Sequence, residues 1–124
     1  MLGTLLVAIG GAIGSTTRYL VGVWFAMRFG TSFPYGTFTI NVTGSFIIGL
    51  FVALAQQRVW LNPYWRLFFA VGFLGGYTTF STFEYESVAL LQNGEMISGA
   101  IYMIGSVVLG ATAALGGLLL GSRI

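Results

Sequence analysis

The run Gly72-Phe73-Leu74-Gly75-Gly76-Tyr77-Thr78-Thr79-Phe80-Ser81-Thr82-Phe83 is the part of this chain best equipped for chemistry. Adjacent glycines followed by threonines and aromatics make a weak helix. Where a helix breaks, carbonyls on one side and N–H groups on the other lose their partners. Free carbonyls can bind a monovalent cation, whereas free N–H groups and hydroxyls suit an anion. The hydroxyls of Thr79, Ser81 and Thr82 supply donors beside any such break. Phe80 and Phe83 are three residues apart and share a helix face. A phenyl ring carries a positive edge, so edge-on contact attracts an anion. Each feature also has a purely structural reading: a kink with hydroxyls bonded back to their own helix, and rings in lipid or in the core.

Other polar groups lie inside apolar stretches. Asn41 sits deep in one of them, where a polar side chain finds a partner or a ligand. Ionisable groups at membrane depth are functional candidates by default. Glu86 follows Phe83 by three residues and so falls on the same helix face. Arg18 could be a fixed positive charge that attracts an anion or a structural pair. Glu84 and Glu86 could equally pair with arginine near an interface.

The elements that position these groups are set by composition. Of 124 residues, 56% are hydrophobic and 6% charged, against about 25% charged in an ordinary soluble domain. Five arginines and three glutamates cannot make a soluble surface. The 19 glycines fall within apolar runs, as in membrane helices, where they let backbones approach. Without Cys or His, disulfides, thiol catalysis, haem ligation and the usual zinc sites are excluded. A net charge of +2 is too small and dispersed for a nucleic-acid footprint. No Walker motif provides a nucleotide site, and nothing points to an enzyme.

A helix needs about 20 mostly apolar residues to cross a bilayer core. Four spans, about 3–27, 36–56, 63–92 and 96–122, use almost the whole chain as one transmembrane domain. The connections are short: Phe29–Tyr35, Gln56–Asn62 and Asn93–Glu95. The first span lacks the basic region of a signal peptide and reads as a retained helix. Asn62-Pro63 starts a helix and Asn93-Gly94 stops one. As one rod the segment between would be about 48 Å long. Tilt or a break in the middle would absorb the excess.

With four spans, Arg58, Arg66 and Arg123 share one side, Arg28 lies on the other, and Arg18 is inside the first span. Such a weak bias allows insertion in both orientations, for which the natural oligomer is an antiparallel homodimer with a two-fold axis in the membrane plane. Packing could also fix a single orientation. Gly10 and Gly14, Gly117 and Gly121, the stripe Asn41-Ser45-Gly49 and the stripe Ser106-Gly110-Ala114 all have the spacing of close helix contacts.

The run Gly72–Phe83 closely resembles the third-helix signature of Fluc/CrcB fluoride channels. Gly36–Asn41, GTFTIN, resembles their second-helix motif, and Gly10–Gly14, GGAIG, followed by Arg18-Tyr19, resembles their first. The resemblance covers three of four spans in order. It implies an all-α antiparallel dual-topology homodimer with a broken third helix, two fluoride pores and a buried structural Na+ on the two-fold axis. Gly75 and Thr78 would offer main-chain carbonyls to sodium. Phe80 and Phe83 would turn ring edges towards fluoride, and Asn41 would donate its amide N–H groups. Tyr102 and Ser106 would continue a polar track, which Gly110 would interrupt where some relatives carry a hydroxyl. The family has a glutamate matching Glu86.

The function so implied is passive, fluoride-selective export from the cytoplasm across the cell (inner) membrane, protecting against fluoride toxicity. Neutral HF enters and dissociates inside, and a negative interior drives the anion outward by about 2.3 kcal/mol per 100 mV. The partners are fluoride, lipid and a second copy. The alternative is a small multidrug-type proton-coupled exporter, also a short four-helix dimer. That class needs a membrane carboxylate in its first helix, where this chain has Arg18 and no acid. An assembly or scaffold subunit is the remaining class, which nothing specific favours.

Overall fold

The computed structural model describes residues 1–58 and 61–124. Among them the regular structure is helical: α1 (Leu2–Phe29), α2 (Tyr35–Gln57), α3 (Pro63–Trp65), a π-helical stretch (Arg66–Leu74), α4 (Gly75–Tyr77), α5 (Ser81–Gln92) and α6 (Met96–Arg123). The helices α1, α2 and α6 are each long and apolar enough to cross a membrane. At 1.5 Å per residue the 28-residue α1 and α6 are about 42 Å long. The connection expected over Gln56–Asn62 contains Val59 and Trp60, which lie outside the described residues.

Local chemistry sets the ends. Gly30, at φ 78°, ends α1 in a conformation that a side chain would strain. The Asn62 side chain accepts from the Tyr64 N–H at 2.9 Å, and Pro63 occupies the first turn. Asn93-Gly94 ends α5, with Gly94 at φ 80° and its N–H bonded to Leu91 O.

The segment from Pro63 to Gln92 is a succession of short pieces. Thr78 is extended (φ −83°, ψ 157°) and ends α4, and α5 restarts after Phe80. The interruption falls in the expected run, whereas the π winding before it carries no sequence signature. π-Helical backbone is rare and usually limited to a single turn. Here α1 packs along the stretch. A Cβ on Gly10 would collide with Phe68 O, and one on Gly14 with Phe73 O. On the other flank, α2 packs against α6, and a Cβ on Gly117 would strike Phe46 O. Small residues thus bring backbones together in the absence of a hydrophobic drive between helices in lipid.

Two small cores result. Ile40, Leu74 and Tyr77 form one, and Phe83, Leu90 and Tyr102 the other. The exterior is apolar, with Ile97, Ile101, Ile104 and Val108 exposed along α6. Such a surface suits lipid or a second apolar partner.

Candidate functional site

The interruption between Tyr77 and Ser81 is held by side chains from two other helices. Asn41, on α2, accepts from the Thr79 N–H at 2.8 Å and donates its own N–H to Thr79 O at 2.9 Å. The carboxamide therefore stands in for a missing peptide group. Arg18, on α1, donates Nε–H to Gly76 O at 3.0 Å. Two further bonds are made within the segment: Thr78 Oγ1 donates to Leu74 O at 2.9 Å, and Thr79 Oγ1 accepts from Thr82 N–H at 3.3 Å. Among the described residues the carbonyls of Gly75 and Thr78 receive no hydrogen bond. Their helical partners are diverted, Thr79 N–H to Asn41 and Thr82 N–H to Thr79 Oγ1.

A recess of about 250 Å³ opens at this point, lined by Asn41, Thr78, Thr79, Phe80, Phe83, Ser106 and Val107. Apart from Val107, these are residues of α2, the interruption, α5 and α6 that the sequence singles out one by one. The Ser106 hydroxyl is buried there without a hydrogen-bond partner among the described residues. An unpaired buried hydroxyl costs free energy, so it calls for a ligand or water. Asn41 keeps one N–H beyond the bond to Thr79.

The two rings differ. Phe83 is buried at 6% exposure and meets Tyr102 edge-on at 5.1 Å. Phe80, in the interruption itself, is 73% exposed, with its centroid 6.0 Å from Phe83. Ser81 and Gly75 are also exposed on the single chain.

Glu86 is bonded to two hydroxyls and to no arginine: Thr37 Oγ1 donates at 3.1 Å and Tyr102 Oη at 2.9 Å. Of the two readings open for Glu86, pairing with arginine is not seen among the described residues, where Arg18 is directed to backbone. Glu84 is exposed in the first turn of α5. Thr37 was not singled out from the sequence. Its signal is its position four residues before Asn41, on the same face of α2.

Thr37 also joins two further recesses. One, of about 340 Å³, lies beside the α1–α2 connection and contains Glu86 and Glu95. The other, of about 290 Å³, contains Arg18, Thr37, Thr79 and Thr82. Thr79 is shared between that recess and the one at Phe80 and Phe83. Hydroxyls, one cation, the carboxylates of Glu86 and Glu95 and backbone groups therefore line neighbouring hollows that reach from a helix end to the interruption.

The chain matches the family described as CrcB-like protein, Camphor Resistance (CrcB), over residues 5–118. Among similar proteins is one from Acidobacterium capsulatum named fluoride-specific ion channel FluC. It is 54% identical over 98 residues, which cover 79% of this chain and 78% of the relative. Relatives of the same name from Nitrobacter winogradskyi and Rhizobium meliloti are 53% and 48% identical over 100 residues, covering 81% of this chain and 79% and 80% of theirs. With apolar helices of spanning length and this extent of similarity, the chain is a multi-pass membrane protein that belongs to the CrcB-like family.

Proposed function

We propose that this protein is a passive, fluoride-selective channel that lets fluoride leave the cytoplasm through the cell membrane. The observation that carries the reading is the recess at the interruption, where the unpartnered Ser106 hydroxyl, the spare Asn41 N–H and the rings of Phe80 and Phe83 converge. Fluoride is small and strongly hydrated, so a pore must replace its water with convergent donors and positive ring edges. The names of the relatives supply the ion.

In this reading the pieces between Pro63 and Gln92 together make the third of four spans, and two chains insert in opposite orientations as a homodimer. A second copy would cover Phe80 and complete the open side of the recess. Fluoride would pass Asn41, Phe80, Phe83 and the hydroxyls of Thr79, Ser81 and Thr82, then the track of Tyr102 and Ser106. The Glu86 recess would form its approach. The unbonded carbonyls of Gly75 and Thr78 fit a structural Na+, since hard oxygen donors are what that ion takes. Two copies would supply four of them around the two-fold axis.

Liposomes loaded with fluoride and chloride provide the test. Purified protein should release fluoride, followed with an ion-selective electrode, while chloride stays inside. Equal release of both ions, or retention of both, defeats the proposal.

A further inference from the structure

We propose that Arg18 is a positioning residue whose Nε–H, rather than its charge, fixes the interrupted backbone of the third helix by bonding the carbonyl of Gly76. In an unbroken helix Gly76 O would accept the N–H of Phe80, and Gly75 O that of Thr79. Neither bond is made. Arg18 takes the first acceptor at 3.0 Å, and Asn41 takes the second donor at 2.8 Å. Two successive rungs of one helical ladder are thus replaced from two different helices, α1 and α2.

The reach of Arg18 depends on how closely α1 approaches. A Cβ on Gly76 would lie 2.6 Å from Gly11 O, so the two backbones are nearly in contact just ahead of the interruption. At that separation the side chain meets Gly76 with Nε and not with the tips of the guanidinium. Among the described residues the charge meets no carboxylate there, and Glu86 is bonded to Thr37 and Tyr102 instead. A cation at membrane depth is costly. Retaining arginine for one Nε–H bond to a main-chain carbonyl is explained if that bond fixes the backbone on which Thr78, Thr79 and Phe80 are placed.

Chemistry separates donor from charge. Glutamine carries an N–H at the same number of bonds from the backbone as arginine Nε, without charge. Lysine carries the charge but only a methylene at that position. Methionine offers similar length and neither property. Hydrogen–deuterium exchange is measured at the Thr78 and Thr79 amides of the purified full-length protein in lipid, for wild type, Arg18→Gln, Arg18→Lys and Arg18→Met. The expected result is wild-type-like exchange in Arg18→Gln and exchange about tenfold faster in Arg18→Lys and Arg18→Met, the scale of one lost hydrogen bond. Equal exchange in all four proteins overturns the proposal, as does an order that follows charge, with Lys protected and Gln not. If Arg18→Met does not fold, the Gln and Lys variants alone decide between donor and charge.

Fluoride efflux gives a second reading, which rests on the channel function proposed above. Arg18→Gln should conduct at least about fivefold faster than Arg18→Lys, a ratio of the same origin. The reverse order overturns the assignment. Wild-type protein that does not conduct removes the channel reading and leaves the exchange experiment to decide the role of Arg18.

Discussion

Phe80 and Phe83 are chemically identical and three residues apart, yet they stand in opposite environments. Phe83 packs in a T-shaped pair with Tyr102 inside the second core, whereas Phe80 is exposed at the interruption. Replacing each with Ile therefore separates folding from transport. Phe80→Ile should change thermal stability in detergent by no more than about 0.5 kcal/mol, as for an exposed site, while abolishing fluoride efflux. Phe83→Ile should lower stability by about 1 kcal/mol or more through poorer packing and abolish efflux as well. Persistence of efflux in both variants would remove the rings from the pore. Asn41 allows a sharper comparison. Asn41→Asp keeps an acceptor for Thr79 N–H but sets a carboxylate oxygen against Thr79 O, where the amide now donates. It should be no better tolerated than Asn41→Ala, which leaves a buried amide unpaired at a cost of about 1–3 kcal/mol. Unfolding of the two variants side by side checks this. An aspartate variant close to wild type would mean that the donor half of the pair is dispensable.

At the scale of elements, the interruption depends on how tightly its neighbours pack. A Cβ on Gly44 of α2 would collide with Cγ2 of Thr78, the extended residue that ends α4. Gly44→Ala should displace Thr78 and cost about 1–3 kcal/mol, the range for overpacking. Thr78→Ser removes that methyl and keeps the hydroxyl bonded to Leu74 O, so the double variant should recover most of the loss. Thermal melts of the two single variants and the double variant form a cycle, and simple additivity would show that the contact is not responsible. What was legible in the sequence follows the same division between local and distant causes. Asn62 capping Tyr64, Gly94 ending α5 and the glycines of α1 and α2 act within a turn or present one face, so spacing reveals them. The interruption was visible because glycines and threonines weaken a helix locally. The π winding of Arg66–Leu74 and the pairing of Asn41 with Thr79, 38 residues away, were not. Both arise where another helix approaches, and no local propensity records that. The separation of Phe80 from Phe83 was hidden for the same reason: a shared helix face holds only while the helix is continuous.

The whole molecule sets the last test, because a single chain leaves Gly75 and Phe80 uncovered beside an open recess. If two antiparallel copies cross there, position 75 of one chain lies near position 75 of the other at the middle of the bilayer. The chain ends then fall on opposite sides of the membrane. The sequence has no cysteine, so single replacements report without background. Gly75 has room for a side chain, since a Cβ there would come no nearer than 3.9 Å to Ala70 O. Gly75→Cys should give a covalent dimer with a short thiol cross-linker, and Leu2→Cys should not, because antiparallel partners hold their α1 starts about 40 Å apart, the length of that helix. In intact cells, Ile124→Cys should react to about half with a thiol reagent that cannot cross the membrane, as a symmetric antiparallel pair requires. Complete or absent labelling at Ile124 would establish a single orientation. With no opposed copy, the carbonyls of Gly75 and Thr78 could not gather around one axis. The proposal that a second, opposed copy covers Phe80 and the open recess therefore stands or falls on that one labelling ratio.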